Sequence, residues 1–431
     1  MNVASMRRID RWIGVPMCAA LTLGRRLGDL ILRRRPPAEP RRVAVIKLAE
    51  QGATVLAYPA LVRAAEMVGR ENLFFVVFSQ NRFILDLLGV VPPENVLAIE
   101  ATNPVRTMLE TLRVVWRMRR ERIDAALDFE FFARSSAILA YLSGARSRVG
   151  FHAYAGEASY RGDLMTHRLS FNPFLHASEI FRLEVEALRL PADRLPACDY
   201  VAPRDMELPR YEPAAKTVAE VETLLRHALG VESLPSLVLL NANCSDLLPL
   251  RRWEPERYVE LARRLLSRQS DLAIVFTGAP DEAAKAEDLV ARIGSKRCVS
   301  LAGHTTLEQL IVLYCLAELM VTNDSGPAHY ATITPIDVIT IFGPETPAVF
   351  GARTPRSHLL WSGVACSPCV NAFNDRQSSC RDNVCMQRIG VDEVFDTACH
   401  VLDARTGRRG QEEASADPWP NSASAPRSSG R

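Results

Sequence analysis

Two stretches of this 431-residue chain hold residue types whose order could do chemistry. The first runs from Leu319 to Ala331 and reads LMVTNDSGPAHYA. A β-rich run ends at Thr322, the turn is Asn323-Asp324-Ser325-Gly326, and Pro327 stands where first-turn helix prolines belong. Free amides at a helix start attract phosphate. Ser325 adds a hydroxyl donor, Gly326 lets a ligand approach the backbone, and His329 lies about one helical turn beyond Ser325. Asp324 would repel phosphate but suits the hydroxyls of a sugar. In isolation the same residues make only a helix cap and a packed histidine. The second stretch, Lys47 to Leu61, reads KLAEQGATVLAYPAL and follows the apolar run Val43–Ile46. Its loop offers one carboxylate, Glu50, with Gln51 and Gly52 beside it. Either Glu50 is a catalytic base or the loop is a tight turn.

A third group is Cys366, Cys369, Cys380 and Cys385, spaced C-x2-C-x10-C-x4-C. Four thiolates can hold structural zinc, although the second pair is looser than in an ordinary zinc ribbon. Free thiols in a closing loop are the alternative.

The elements that must carry these residues alternate along the chain. Short apolar runs separated by helical patterns are the mark of α/β units around parallel sheets. Strands are expected at Val43–Leu48, Leu73–Phe78, Val96–Ile99, Ala125–Phe129 and Arg148–Phe151, with helices over Thr54–Val68, Phe83–Leu88, Pro104–Arg122 and Ser135–Leu142. Five prolines between Pro191 and Pro213 then break the pattern and mark a linker. Strands resume at Leu237–Asn241, Leu272–Thr277, Cys298–Leu301, Leu319–Thr322 and Val338–Phe342. Helices are expected over Pro255–Leu266, Glu282–Ile293, Leu307–Ala317 and Gly326–Thr332. Two such halves suggest two Rossmann-like domains facing across a cleft. Neither opens with G-x-G-x-x-G, and a P-loop is absent, which argues against a dinucleotide oxidoreductase or a P-loop NTPase.

Charge is nearly balanced overall, 52 Lys and Arg against 50 Asp and Glu, so nothing in bulk favours nucleic acid. Locally it is uneven. Residues 1–40 form a basic amphipathic leader whose apolar part is shorter than the ~20 residues that span a bilayer. Arg25 and Arg26 stand where a signal peptidase would need small residues. The leader suits the surface of an anionic membrane; a disordered or docking segment is the alternative. The helix over Pro104–Arg122 carries six arginines against two glutamates, either a face for an anionic acceptor or membrane, or a solvated surface. Residues 405–431 read as a disordered tail. With no convincing export signal, the ten cysteines are expected to be reduced, in a cytoplasmic setting.

The Thr322–Thr346 block, ending in Phe342-Gly343-Pro344-Glu345-Thr346, resembles the signature of glycosyltransferase family 9, the ADP-heptose:lipopolysaccharide heptosyltransferases. Three more pieces occur in the family's order: Lys47–Leu61, Arg251-Arg252-Trp253-Glu254-Pro255-Glu256-Arg257-Tyr258, and Val275-Phe276-Thr277-Gly278-Ala279-Pro280-Asp281-Glu282. The cysteine group also looks like elements seen in many members. The resemblance covers about Val43 to Val394. It implies an α/β GT-B fold, with an acceptor domain over 41–205 and a nucleotide-sugar domain over 206–404. It also implies no cofactor and no essential metal, a donor such as ADP-heptose, and a lipopolysaccharide or related glycolipid acceptor. By the same resemblance Asp324 meets donor hydroxyls, while Ser325, Gly326 and His329 lie near the diphosphate. Arg251 or Arg252 supplies the phosphate cation, and Glu282 and Thr277 lie on the donor side.

The chain also departs from the family. The aspartate expected as general base falls at Ala53, which leaves Glu50 as the nearby carboxylate. Asn243-Cys244-Ser245-Asp246 replaces a small-residue turn. The leading expectation is an inverting, metal-independent sugar transferase on the inner face of a membrane. The alternatives are a GT-B nucleotide-sugar epimerase and a degenerate protein that binds nucleotide sugar or glycolipid without turnover.

Overall fold

The computed structural model describes residues 8, 10–32, 39–154, 156, 158–201, 208–244 and 248–415. After a helix α1 (Gly14–Leu32), the first sheet contains β1 (Val43–Ile46), β2 (Leu73–Phe78), β3 (Val96–Ile99), β4 (Ala125–Asp128), β5 (Ser147–Phe151) and β6 (His167–Leu169). All neighbours pair in parallel, in the order β3-β2-β1-β4-β5-β6. The interleaved helices are α2 (Gln51–Leu56), α3 (Tyr58–Val68), α4 (Arg82–Leu88), α5 (Pro104–Arg120), α6 (Arg134–Leu142) and α7 (Ala177–Ala187). The strands are buried on both faces, which explains their continuous apolar runs.

After α8 (Ala215–Leu229), the second sheet repeats the winding. It contains β7 (Ser236–Asn241), β8 (Leu272–Phe276), β9 (Cys298–Ser300), β10 (Leu319–Asn323), β11 (Asp337–Phe342) and β12 (Ser357–Trp361), in the order β12-β11-β10-β7-β8-β9. Its helices include α9 (Pro255–Arg268), α10 (Ala283–Ile293), α11 (Leu307–Leu316), α12 (Gly326–Ala331), α13 (Pro347–Phe350), α14 (Val384–Gln387) and α15 (Val391–Ser415). Both sheets therefore reverse direction between their first and fourth strands. Ligands of such sheets bind in the crevice beyond the strand ends at that reversal. The Lys47 loop follows β1 and the Asp324 turn follows β10, so both candidate stretches sit at a switch point.

Two expectations need correction, and the described part of the leader can be placed. The helix expected over 54–68 is two helices, starting earlier at Gln51 and broken at Ala57, because Pro59 opens the second as a first-turn proline. The disordered tail does not begin at 405: α15 continues to Ser415, and Arg405 ion-pairs with Asp337 and donates to the carbonyl of Pro335 at 2.6 Å. The rest of that expectation, 416–431, lies outside the described residues. The leader, in its described part, is a helix docked by one face. Asp10 accepts from the Ser135 amide at 2.8 Å, and Cys18 is fully buried in the core that α5 and α6 share.

Candidate functional site

The two domains meet through residues that the sequence separates widely. Gly52 on α2 approaches α12 so closely that a Cβ there would stand 2.6 Å from His329 Cδ2 and 3.3 Å from Gly326 Cα. Tyr330 donates its hydroxyl to Gln51 Oε1 at 2.8 Å, while Gln51 Nε2 holds the Gln80 carbonyl at 2.7 Å. Phe373 packs edge-on against Phe171, with centroids 5.2 Å apart. His176 Nε2 contacts the Gly351 carbonyl at 2.7 Å, and Arg353 pairs with Glu179 at 2.8 Å.

Between these contacts lies a cluster of charges. Lys47, fully buried, donates to Glu130 Oε2 at 3.0 Å and Glu50 Oε2 at 3.3 Å. Glu130 Oε1 in turn accepts from the Leu48 and Ala49 amides at 2.8 and 3.0 Å, fixing the loop after β1 from the end of β4. Glu50 has φ 66°, ψ 77°, a left-handed conformation that costs a non-glycine residue energy. Its other oxygen accepts from Arg376, whose remaining nitrogens grip Glu345 at 2.8 and 3.1 Å. Arg251 completes the chain, lying 3.4 Å from both Asp324 and Glu345.

The electrostatics follow from this arrangement. Burial alone would raise the Glu50 carboxyl, but Arg376, then Lys47 and Arg251, outweigh it and pull the pKa down to about 2. Glu345 goes the other way: burial and the neighbouring Asp324 push it up to about 7 against the pull of Arg376 and Arg251. His329 is neutral, its pKa depressed to about 4 by burial and then by Arg251. Among the described residues, His329 Nδ1 and Arg251 Nε are buried without a hydrogen-bond partner. Orphaned buried nitrogens are costly unless a ligand meets them.

The donor-side expectations can now be located. Asp324 is buried against Arg251. Ser325 stands at the start of α12, but its hydroxyl turns to the Asn323 carbonyl at 3.1 Å and does not cap the helix. That helix has only six residues, so its dipole is small and the local positive charge comes chiefly from guanidinium groups. Arg252 holds the Cys244 carbonyl at 3.1 Å. Thr277 is tied to Asn241 Nδ2 at 3.2 Å, and Glu282 Oε2 accepts from the Ala279 amide at 2.8 Å beyond β8. Ser245 and Asp246 lie outside the described residues. The zinc expectation is not met: among the described residues no group of three or more His, Cys, Asp or Glu side chains is placed to hold a metal. Cys366, Cys369, Cys380 and Cys385 are free thiols, Cys369 facing Ser378 and Cys385 facing Asn383.

Sequence reasoning missed Arg376, Glu345, Glu130 and Asn323. Asn323 Oδ1 accepts from the Trp253 amide at 2.9 Å and from the Tyr258 hydroxyl at 3.2 Å, anchoring the Arg251–Tyr258 segment to the end of β10. Its invitation was visible, since it opens the Asp324 turn. Arg376 sits in an irregular loop, where no periodicity could have signalled it.

Two doubly wound domains with a charged crevice at their switch points define a protein of the GT-B class. Residues 111–378 match the model of glycosyltransferase family 9 (heptosyltransferase), and the chain belongs to that family. It is 35% identical over 101 residues to lipopolysaccharide heptosyltransferase 2 of Salmonella typhimurium, a match covering 23% of this chain and 29% of that one. It is 24% identical over 159 residues to lipooligosaccharide heptosyltransferase 2 of Campylobacter jejuni, covering 35% and 47%. The chain thus aligns with less than half the length of these curated relatives. The fold is similar to that of the E. coli ADP-heptose lipopolysaccharide heptosyltransferase II, with TM-score 0.64, 15% identity, and 85% and 99% of the two chains covered. A family 9 glycosyltransferase of Veillonella parvula gives TM-score 0.65 at 16% identity, covering 85% and 98%.

Proposed function

We propose that this protein transfers heptose from ADP-heptose to a lipopolysaccharide core or related glycolipid acceptor, with inversion and without a metal cofactor, at the inner face of a membrane. The observation that carries the reading is the juxtaposition across the crevice of the Glu50 loop and the Asp324–His329 turn, with Arg251 and Arg376 between them. Residues 41–205 take the acceptor and 206–404 the donor.

In this reading the donor diphosphate competes for Arg376 and Arg251 with Glu345, the carboxyl held nearest neutrality and so the readiest to be protonated. His329 Nδ1 and Arg251 Nε gain the partner they lack. Relieved of Arg376, Glu50 returns toward the ordinary carboxylate range and can accept a proton. The acceptor hydroxyl oxygen then attacks the anomeric carbon opposite the diphosphate. The bond from that carbon to the β-phosphate oxygen breaks, its electron pair leaves with ADP, and the hydroxyl proton passes to Glu50. Guanidinium groups offset the charge that develops on the leaving group.

A second reading is favoured by Ala53 and by the Arg376 grip on Glu50: a protein that binds donor without turnover. Purified protein incubated with ADP-heptose, with and without lipopolysaccharide acceptor, separates the two. Acceptor-dependent ADP release is the expected result. Donor binding with no ADP release would leave the binding-only reading standing.

A further inference from the structure

On one face of the first sheet, α1, α6 and α5 lie together, with α6 touching both neighbours. The inward faces are ordinary core: Cys18 from α1, Ala137 and Ala140 from α6, and Val114, Val115 and Met118 from α5 share one buried cluster. The outward faces are unusual. On α5, Val105, Met108, Leu109, Leu112 and Trp116 are each more than half exposed, and their spacing places them on one stripe. Around α1, Trp12, Ile13, Leu23 and Leu27 are also more than half exposed. Single exposed apolar residues need no explanation, but two stripes on one face of a domain do.

Both stripes are edged by arginine. Arg113 and Arg26 are largely exposed on α5 and α1, each with one carboxylate alongside, Glu110 at 3.8 Å and Asp163 at 3.5 Å. Arg117 and Arg119 donate to the backbone carbonyls of Glu94 and Leu142, contacts that leave their charge uncancelled, and Arg120 lies over the Trp116 ring, 5.4 Å from its centroid. An open cavity of about 350 Å³ separates α5 from the edge strand β3, lined by Trp116, Arg113, Arg117 and Arg120 against Glu110. A larger depression of about 1080 Å³ at the foot of the same helices is lined by Arg41, Arg119, Arg122 and Arg146 against Glu39 and Asp124.

We propose that this face is a docking surface for an anionic phospholipid bilayer, with the apolar stripes of α1 and α5 entering the headgroup–acyl boundary and the arginines meeting lipid phosphates. Charge decides between a bilayer and a second copy of the chain. Pairing two copies through these stripes would press like charges together, which disfavours association. An anionic surface attracts the same arginines, each contributing severalfold to partition. None of the described helices is long and apolar enough to cross a membrane, so the contact is interfacial. The inference deepens the membrane location proposed above, and because its assay contains neither donor nor acceptor, it can fail separately from the transfer reading.

The test is flotation of the full chain with vesicles of phosphatidylcholine alone, or with about one third phosphatidylglycerol. The wild type should float with the anionic vesicles at least about tenfold better than with the neutral ones, and less well at high salt. Leu109→Glu with Leu112→Glu should lower that partition about tenfold or more, and Arg113→Glu with Arg120→Glu about fivefold or more. Leu23→Glu on α1 should act in the same direction. All these side chains are exposed, and an unchanged circular-dichroism melt verifies that each variant folds. Folded variants that partition like the wild type overturn the proposal. So does a wild type that ignores anionic vesicles and instead dimerises in a manner the leucine substitutions abolish.

Discussion

Gly52 and His329 belong to different domains, yet no side chain larger than hydrogen fits between them: a Cβ at position 52 would lie 2.6 Å from the imidazole Cδ2. The glycine is helical, so its freedom of backbone conformation is not what the position needs. What it needs is close approach. This contact, with the Tyr330–Gln51 hydrogen bond beside it, sets how far the loop after β1 can advance on the turn after β10.

Gly52→Ala therefore makes a specific prediction. Within α2 the substitution should favour the helix by about 1 kcal/mol, but the added methyl must push the domains apart. We expect small-angle scattering to report a larger radius of gyration. If the transfer reading holds, kcat/KM should fall at least about tenfold, since misplacement by an ångström is costly in such sites. An unchanged scattering curve would show that the imidazole simply moves aside.

Much of this architecture was legible in the chain because buried parallel strands announce themselves. Leu73–Phe78 and Val96–Ile99 are apolar throughout and fall where the sequence puts them. The two strands that were missed explain themselves as well. His167–Leu169 is three residues long, and Ser357–Trp361 is a half-exposed edge strand that opens on Ser and His, which leaves only Leu359-Leu360-Trp361 as an apolar run. In the site, Asp324 and His329 could be read because one turn holds them both. Arg376 and Glu130 could not, since only the topology brings an irregular loop and the end of β4 to the β1 loop. The docked leader was hidden for a related reason. Its burial rests on Cys18, and on Gly14 against Arg134, small contacts inside a helix whose outer face is apolar and basic.

Glu130 is predicted to be a stability residue of the loop. It neutralises Lys47, which has no solvent contact, and it accepts from two backbone amides. Removing one partner of a buried ion pair costs about 3–5 kcal/mol. Glu130→Ala should approach that loss in urea denaturation, with Glu50 still offering Lys47 a second carboxylate. Glu130→Gln keeps an acceptor for the amides and should lie between the variant and the wild type. A loss below about 1 kcal/mol for the alanine variant would mean the pair contributes little.

The pair Glu50 and Arg376 separates chemistry from donor binding. If Glu50 takes the acceptor proton, Glu50→Gln should lower kcat by about 10²–10⁴ while ADP-heptose binding changes only a few fold. Near-normal turnover sinks the assignment. Arg376→Gln should raise the donor KM at least about tenfold, the loss expected when a charge-assisted phosphate contact goes. A donor KM that does not move would leave Arg376 as a bridge between domains and nothing more.

The buried imidazoles give a prediction in pH. His329 and His176 are both depressed to about 4, mainly by burial and then by Arg251 and Arg353 respectively. In the unfolded chain each should titrate near ~6.5. Their folded pKa values lie below the unfolded one, so the unfolded state takes up protons first as the solution is acidified. The stability they support is fully present above about pH 6.5 and is lost as pH falls through about 4. At pH 5 the loss should be about 2 kcal/mol for each histidine. Glu345 works in the opposite sense: its raised pKa makes its contribution full below about 4.5 and lost as pH rises through about 7. The measurement must therefore be a difference. Urea denaturation at pH 7.5 and pH 5 should show a wild type that loses more stability on acidification than His176→Gln/His329→Gln, in which Glu345 is retained. Equal losses in the two proteins would mean that these imidazoles reach water more easily than their burial implies.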